Sequence, residues 1–482
     1  MVHAPACAEN IRAEVAELLG VGADAIHPTG NLVSQGLDSI RMMTLAGRWR
    51  RQGIAIDFAT LAAAPTIEAW AELLGSGSPT GAAEEALPGD AEKSGNNEPF
   101  PLAPMQHALW VGRHDGQQFG GVAGHLYAEF DGGPIDPERL RAAATALAIR
   151  HPLLRVRFLP DGTQRIPEPC AEFPVGVHDL RGDQDVEGRL AATRDAKSHQ
   201  QLDGAVFELA VTLLPGERSR LHVDLDMQAA DAMSYRTLMA DLAALYRGRD
   251  LPELGYTYRD YRRAVEAREA TPDPARDADR DWWARRIPQL PDPPALPSIG
   301  GVNSRKSTRR WHWLDPATRD ALFARARARG ITPAMALAAA FSNALARWST
   351  TPRFLLNVPL FGRQPLHADV DSLVGDFTSS LLLDVDLTGT ATAAARAHAV
   401  QDALRTTAAH SAYPGLSVLR DLSRHRGTQV LAPVVFTSAL GLGELFGAEV
   451  TEQFGTPAWI ISQGPQVLLD AQVAEFDGGV LV

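Results

Sequence analysis

The stretch His222-Val-Asp-Leu-Asp-Met-Gln-Ala-Ala-Asp-Ala-Met-Ser234 marks a change in sequence period from that of a strand to that of a helix. Around Val223, apolar residues alternate with polar ones, which is the pattern of a half-buried strand and puts Asp226 on its polar face. After Asp231, leucines recur at near-helical spacing and predict a helix. The intervening turn carries two carboxylates and, three residues further on, the hydroxyl of Ser234. On spacing alone, the carboxylates would simply pair with arginines and cap the helix.

The spacing Asp226-x-x-x-x-Asp231-x-x-Ser234 resembles the signature of heterocyclization domains of nonribosomal peptide synthetases. Their relatives, the condensation domains, carry His-His-x-x-x-Asp-Gly at the corresponding turn. When the two patterns are aligned on Asp231, the second histidine falls on Met227. A thioether cannot accept a proton from an attacking amine, so histidine catalysis of the condensation type is not expected. The resemblance implies that Asp226, Asp231 and Ser234 organise the active site.

The composition excludes several classes of protein. The chain has 482 residues, of which 45% are hydrophobic and 22% are charged, as in ordinary globular proteins of about three domains. A formal net charge of −12 argues against nucleic acid or an anionic membrane as a main partner. The only cysteines are Cys7 and Cys170, which fits a reducing cytoplasm, and we find no signal peptide and no membrane span. No metal site is expected.

Residues 1–74 are predicted to form a small all-α bundle, and residues 75–98 a flexible linker rich in small and acidic residues. In the bundle, Asp38-Ser39 begins a helix, where both residue types commonly act as caps. The stretch Gly36-Leu-Asp-Ser-Ile-Arg41 also resembles the attachment site of carrier proteins, in the form found in aryl carrier proteins that load salicylate or dihydroxybenzoate. The resemblance implies that 4′-phosphopantetheine is attached to Ser39 by a phosphopantetheinyl transferase.

From residue 99 onward the chain is similar to heterocyclization domains in motif after motif. The motifs include Phe100-Pro101-Leu102, Arg150-His151-Pro152, Asp281-Trp282-Trp283, Asn357-Val358-Pro359 and Gly375-Asp376-Phe377. Each has an ordinary structural explanation by itself, and it is their order that makes the match specific. The resemblance implies an α/β (α+β) condensation-type fold. Its two chloramphenicol-acetyltransferase-like lobes, residues 99–275 and 276–482, would form a V with a tunnel leading to Asp226.

Arg363 is the predicted partner of Asp231. A buried carboxylate needs a bidentate neighbour, and the resemblance to condensation domains implies an arginine that locks this turn. The pairing would hold the turn in place rather than transfer protons.

Two C-terminal stretches carry the predicted chemistry. Pro433-Val-Val-Phe-Thr-Ser438 predicts a buried strand that ends in hydroxyls. Ser462-Gln-Gly-Pro-Gln-Val-Leu-Leu-Asp-Ala-Gln472 predicts a turn and then a strand, with Gln466, Asp470 and Gln472 on one face. Without the resemblance, Thr437 would be read as a hydroxyl at the end of a strand and Asp470 as a carboxylate that faces solvent.

The resemblance implies a different role, in which Thr437 and Asp470 are the catalytic pair for cyclodehydration. Gly464 stands where the family usually has threonine, which removes any role for that side chain but leaves Asp470 untouched.

The resemblance as a whole is to an aryl carrier protein followed by a heterocyclization domain, as in mycobactin-type phenyloxazoline synthases. It implies condensation of a salicyl thioester with carrier-bound Ser or Thr and cyclodehydration to an oxazoline, in siderophore biosynthesis. A salicylate-activating adenylation enzyme and downstream adenylation and peptidyl carrier domains would be partners. Two alternatives stay open: a domain that forms only the amide, and a module that docks acyl carriers without catalysis.

Overall fold

The computed structural model describes residues 98–482, apart from 203 and 298–304, and parts of residues 7–75. Within these residues no helix is long and apolar enough to cross a membrane. The same part of the chain contains no group of three or more His, Cys, Asp or Glu side chains that could hold a metal ion. The described helices and strands form an N-terminal bundle and two larger lobes, each built on one main sheet.

The regular elements described in the N-terminal bundle are all helical. They are the helices Ala8–Leu19 and Ile67–Gly75 and the short 3-10 helix Ala23–Ala25. Each long helix turns an apolar face inward, and the rings of Trp49 and Trp70 meet edge to face at 5.8 Å in the core. Nearly all of the predicted linker, 75–98, lies outside the described residues.

The N-terminal lobe is built on a five-stranded sheet. In spatial order its strands are Thr456–Gln463, His125–Gly132, Arg218–Asp226, Phe207–Leu214 and Val175–Asp179. Neighbours are antiparallel except for the last pair. The predicted strand and helix around the opening stretch are confirmed as Arg218–Asp226 and Ala232–Tyr246. On one face of the sheet, this helix and Pro137–Arg150 enclose the apolar core.

The other face of this sheet is also buried, so the prediction of a half-buried strand is wrong. His222 and Asp224 are each 1% exposed. Side chains from the helix Val186–Ser198 reach this face, where Arg194 pairs with the buried Glu129 at 2.5 Å. Polar side chains on adjacent strands bond to one another on this face, as Tyr127 and Thr212 do with the two ring nitrogens of His222, so a strand that alternates in sequence is buried on both sides.

The C-terminal lobe is built on a six-stranded sheet. In spatial order its strands are Thr378–Asp386, Arg353–Phe361, Val434–Ser438, Leu469–Phe476, Gly479–Leu481 and Trp313–Leu314. One face carries the second large core, against the helices Pro316–Arg327, Pro333–Trp348 and Ala393–Ala408. Part of the other face is covered by the helices Pro274–Arg286 and Gly415–Arg426. The rest of that second face carries the candidate catalytic side chains.

Smaller elements complete the two lobes. They are the helices Pro104–Gly112 and Tyr258–Ala270, the short strands Phe100–Pro101, Arg157–Phe158 and Thr163–Arg165, and the 3-10 helices Pro152–Arg155, Ile287–Gln289 and Ala368–Ser372.

One segment crosses from the C-terminal lobe to the N-terminal lobe. The helix Ala448–Phe454 buries Val450 and Phe454 in the N-terminal core, and the strand Thr456–Gln463 then completes the N-terminal sheet. The approach is so close that a Cβ atom at Gly455 would lie 1.9 Å from the Asp131 carbonyl oxygen. We call Thr456–Gln463 the crossover strand.

The lobes are therefore not continuous in sequence, and the division expected at 275/276 needs correction. The helix Pro274–Arg286 runs through that point, and the crossover segment returns to the first lobe. The physical reason is that strand His125–Gly132 would otherwise leave a sheet edge unpaired.

Candidate active site

The side chains of Thr437, Asp470 and Gln472 meet on the open part of the C-terminal sheet. The strands Val434–Ser438 and Leu469–Phe476 are parallel neighbours in which Thr437 lies opposite Gln472 and Val435 opposite Asp470. Residues opposite each other project from the same face, so the three side chains are adjacent. Thr437 Oγ1 donates to Asp470 Oδ1 at 3.4 Å, and Gln472 Nε2 donates to Asp470 Oδ2 at 2.6 Å.

Gln466 does not belong to this face, in contrast to the prediction. The strand begins only at Leu469, and Gln466 occupies the preceding turn with a φ of 62°. Its backbone N–H donates to the Phe119 carbonyl at 2.8 Å. Because the residues before Leu469 form a turn, the strand is shorter than the alternating pattern predicts.

Burial raises the pKa of Asp470 to about 6, while the hydrogen bonds from Gln472 and Thr437 act in the opposite direction. Asp470 is nevertheless an exposed residue. The two observations fit a carboxyl at the bottom of an opening, where protein atoms surround it but water still reaches it. Such a group is ionised in part near neutral pH and can both accept and return a proton.

Gln472 also contacts the other lobe. Its Nε2 donates to Ser462 Oγ at 2.5 Å, and Ser462 lies on the crossover strand of the N-terminal sheet. The sequence analysis did not single out Ser462, because nothing in the local pattern indicates that residues 462 and 472 meet across the two lobes.

Asp226 lies buried at the end of its strand and pairs with Arg113, whose Nη1 is 2.6 Å from Asp226 Oδ2. The backbone N–H of Gln228 donates to the other carboxylate oxygen at 2.9 Å. Burial raises the pKa of Asp226, and the Arg113 guanidinium opposes this shift. Arg113 also donates to the Gln201 carbonyl at 2.5 Å. Asp226 therefore holds the first helix of the lobe to the sheet.

Asp231 caps the helix Ala232–Tyr246 and joins it to the other lobe. Its Oδ1 accepts from Ser234 N at 2.7 Å, and its Oδ2 accepts from Phe377 N at 3.2 Å. Ser234 Oγ donates to the Gly375 carbonyl at 2.8 Å. The strand-to-helix turn of one lobe is thus bonded to the Gly375–Phe377 turn of the other.

Arg363 reaches this junction, but not with the predicted bidentate geometry. Its Nη2 is 3.7 Å from Asp231 Oδ1 and 3.1 Å from Ser234 Oγ. Its Nη1 donates to the Val370 and Leu373 carbonyls, both at 2.7 Å, and the guanidinium lies 4.0 Å from the centre of the Phe377 ring. Arg363 thus holds several backbone groups around the junction, and Asp231 is only one of its partners.

The two sets of predicted residues form separate groups. Asp226 is opposite His125, and Gln463 is opposite His125 on its other side, so these three share one face of the N-terminal sheet. Ser462, which contacts Gln472, is on the opposite face. Among the described residues no hydrogen bond or ion pair joins Asp226 or Asp231 directly to Thr437, Asp470 or Gln472.

Residues 96–455 match the family model described as Condensation domain. The chain belongs to the condensation-domain family. Residues 9–74 match the model described as Phosphopantetheine attachment site, so the predicted carrier domain, its cofactor class and the condensation-type fold are confirmed.

Curated relatives of this condensation-domain chain include a phenyloxazoline synthase and a pyochelin synthetase. The chain is 76% identical to phenyloxazoline synthase MbtB of Mycobacterium tuberculosis, with all of the chain and 34% of that protein covered. It is 36% identical to pyochelin synthetase PchE of Pseudomonas aeruginosa, with 97% of the chain and 33% of that protein covered. The chain thus spans about a third of the length of these curated relatives.

Among solved structures, the cyclization-docking bidomain of EpoB from Sorangium cellulosum is similar, with a TM-score of 0.70 and 35% identity over 80% of each chain. This similarity confirms the predicted condensation-type fold, and the solved structure that shares it is a cyclization domain.

Ser39, the predicted attachment residue, lies outside the described residues. Leu37 and Met42, which flank it, are buried in the core of the carrier domain at 0% and 3% exposure. The carrier core thus fixes the chain on both sides of the predicted attachment site.

Proposed function

We propose that this chain joins a salicyl thioester to carrier-bound Ser or Thr and cyclodehydrates the resulting amide to a phenyloxazoline, in siderophore biosynthesis of the mycobactin type. The observation that carries the proposal is the Asp470 carboxyl, with a pKa of about 6 and with Thr437 and Gln472 as hydrogen-bond donors. The proposal is also supported by the name of the relative with 76% identity, a phenyloxazoline synthase.

The first stage, amide formation, needs little proton transfer from the protein. Phosphopantetheine, when attached, supplies a thioester whose acyl carbon is already activated. The amine of Ser or Thr attacks that carbon, the C–S bond breaks, and the thiol leaves with the proton that the amine loses. Positioning of the two partners provides most of the acceleration. Met227, in place of the histidine of condensation domains, fits a stage without a histidine base.

The second stage, ring closure, depends on Asp470. The side-chain hydroxyl of Ser or Thr attacks the amide carbon, and its proton goes to the Asp470 carboxylate. The protonated carboxyl then returns that proton to the former carbonyl oxygen, which becomes a hydroxyl group. The amide nitrogen gives its proton to the Asp470 carboxylate as the C=N bond forms. Asp470 passes this second proton to the hydroxyl group as the C–O bond breaks, so that water leaves and the carboxylate is ionised again. Thr437 orients the carboxyl or the departing oxygen.

The partners belong to the proposal as well. A phosphopantetheinyl transferase would modify Ser39, a salicylate-activating adenylation enzyme would load the arm, and downstream adenylation and peptidyl carrier domains would supply Ser or Thr. We place this assembly line in the cytoplasm, where coenzyme A and aminoacyl adenylates are made.

Mass spectrometry of the product separates the proposal from its two alternatives. The chain is loaded from salicyl-coenzyme A by a phosphopantetheinyl transferase and mixed with a threonyl thioester of pantetheine. The expected product has lost one water beyond amide formation. A product that stops at the linear amide would indicate a domain that only condenses, and intact starting thioesters would indicate a docking module; either result would contradict the proposal.

A further inference from the structure

Ser462 is placed where the two lobes meet next to the candidate catalytic carboxyl. It is the last residue but one of the crossover strand Thr456–Gln463, and its backbone lies opposite Leu126 of the N-terminal sheet. Asp470 and Gln472 lie on a strand of the C-terminal sheet. The contact between Ser462 Oγ and Gln472 Nε2 therefore connects one sheet to the other.

The amide nitrogen of Gln472 has two protons, and both have an acceptor. One is directed at Asp470 Oδ2, at 2.6 Å, and the other at Ser462 Oγ, at 2.5 Å. A primary amide without the second acceptor can rotate and turn its carbonyl oxygen toward the carboxyl. With the Ser462 hydroxyl in place, the N–H side of the amide stays directed at Asp470.

The position of Ser462 is itself fixed by the N-terminal lobe. Beyond it, the turn is bonded to the loop that follows the helix Pro104–Gly112, through Gln466 N and the Phe119 carbonyl at 2.8 Å. Pro465 lies so close to the helix Pro104–Gly112 that a Cβ atom at Gly112 would be 2.8 Å from the Pro465 Cβ atom. Movement of this turn relative to the C-terminal sheet would change the Ser462–Gln472 contact.

We propose that Ser462 is a positioning residue for ring closure: through Gln472 it sets the orientation and charge state of Asp470, and it makes both depend on how the two lobes are placed. This inference rests on the proposed function. Apart from burial, the pKa of Asp470 is shifted only by the hydrogen bonds from Gln472 and Thr437 among the described residues. Both of these side chains are neutral. Loss of the Gln472 hydrogen bond should raise that pKa, since the bond stabilises the ionised form.

The test compares Ser462→Thr with Ser462→Val, two side chains of the same shape that differ in the hydroxyl, together with Ser462→Ala. Ring closure by the Ala and Val variants should fall roughly 3- to 10-fold, the effect of one hydrogen bond. Their linear amide should accumulate, because amide formation does not use Asp470. The acidic limb of the ring-closure pH profile should move up, by as much as about one unit. Ser462→Thr should behave like the parent.

Thr456→Ala is the matched control, because it removes a hydroxyl from the exposed far end of the same strand. It should leave both stages unchanged. Gln472→Ala provides a double-mutant cycle: if Ser462 acts through Gln472, adding Ser462→Ala to Gln472→Ala should have no further effect. An additive double variant, or an unmoved pH limb in both Ser462→Ala and Ser462→Val, would overturn the proposal.

A second readout does not depend on the product. The Asp470 carboxyl carbon can be titrated by NMR in protein labelled with ¹³C-aspartate, with Asp470→Asn to assign the signal. A higher Asp470 pKa in Ser462→Val than in Ser462→Thr supports the positioning role even if the parent forms no oxazoline, which would contradict only the proposed function. Equal pKa values in the two variants would overturn the positioning role.

Discussion

Asp470 and Asp376 are both aspartates whose pKa is raised by burial, but their neighbours give them different roles. Asp470, with a pKa of about 6, is solvent-accessible and has only neutral donors around it. Asp376, with a pKa of about 7, is 3% exposed, and the nearby Asp231 carboxylate raises its pKa further. The first can exchange a proton with a substrate, whereas the second is enclosed at the lobe junction.

Asp376 should make the stability of the protein depend on pH. Its pKa is raised from 3.8 to about 7 in the folded protein, so between about pH 4 and 7 the folded state holds a proton that the unfolded chain has lost. The free energy of unfolding should therefore fall as pH rises through this window. This fall, on the order of 4 kcal/mol, should be absent in Asp376→Asn, which keeps an oxygen for the Thr378 N–H.

Denaturant unfolding at pH 5 and pH 8 checks this expectation. The Asn variant should gain stability relative to the parent at pH 8 and not at pH 5. A difference between parent and variant that is the same at both pH values would show that Asp376 is ionised in the folded protein at both.

Ser39 is the residue on which the carrier role depends. Ser39→Ala should abolish the mass increase produced by a phosphopantetheinyl transferase and coenzyme A, because no hydroxyl remains to attack the pyrophosphate. The far-UV circular dichroism of the variant should match that of the parent. Retention of the mass increase in Ser39→Ala would assign the arm to another residue.

At the scale of elements, the buried Asp231 carboxylate is one of the groups that bond the turn between Arg218–Asp226 and Ala232–Tyr246 to the other lobe. Asp231 accepts hydrogen bonds from its own helix and from Phe377 of the other lobe, with Arg363 beside it. Helix capping alone would contribute about 1 kcal/mol. A buried carboxylate with a cationic partner contributes more to the free energy of unfolding, because its removal leaves the charge of the buried guanidinium unpaired.

Asp231→Ala should therefore lower the free energy of unfolding by roughly 3–5 kcal/mol. Asp315→Ala is the matched control, since Asp315 caps the helix Pro316–Arg327 through Thr318 N at 3.0 Å near the surface. Asp315→Ala should lower the free energy of unfolding by only about 1 kcal/mol. Equal changes in melting temperature for the two variants would mean that Asp231 acts only as a cap.

The elements were largely predictable, because local chemistry determines them. Asp136-Pro137 and Thr332-Pro333 are typical helix starts, and both aspartate and threonine accept the expected backbone N–H. What local chemistry does not determine is the environment of each face. The polar side of Arg218–Asp226 was expected to meet solvent, yet it is buried against other polar side chains. Trp348, the last residue of the helix Pro333–Trp348, is 69% exposed although its side chain is large and apolar.

At the scale of the whole molecule, sequence periodicity indicates that residues 456–463 form a strand but not which sheet they join. The crossover strand completes the N-terminal sheet, and only this placement brings Ser462 to Gln472. The pairing of Thr437 with Asp470 was foreseen from the family resemblance, and their adjacency follows from the parallel pairing of their strands. The contact through Ser462 depends on long-range topology, so no local pattern predicts it.

The central claim is that ring closure, and not amide formation, depends on Asp470. The most direct measurement follows both products by mass spectrometry in single turnovers of the salicyl-loaded chain with a threonyl thioester. Asp470→Asn should form the linear amide at the parental rate and lose oxazoline formation by about 10²–10⁴-fold, the usual contribution of proton transfer. Asp477→Asn, an exposed change at the turn after the same strand, should leave both products unchanged. Parental amounts of oxazoline from Asp470→Asn, or loss of amide and oxazoline together, would contradict the account.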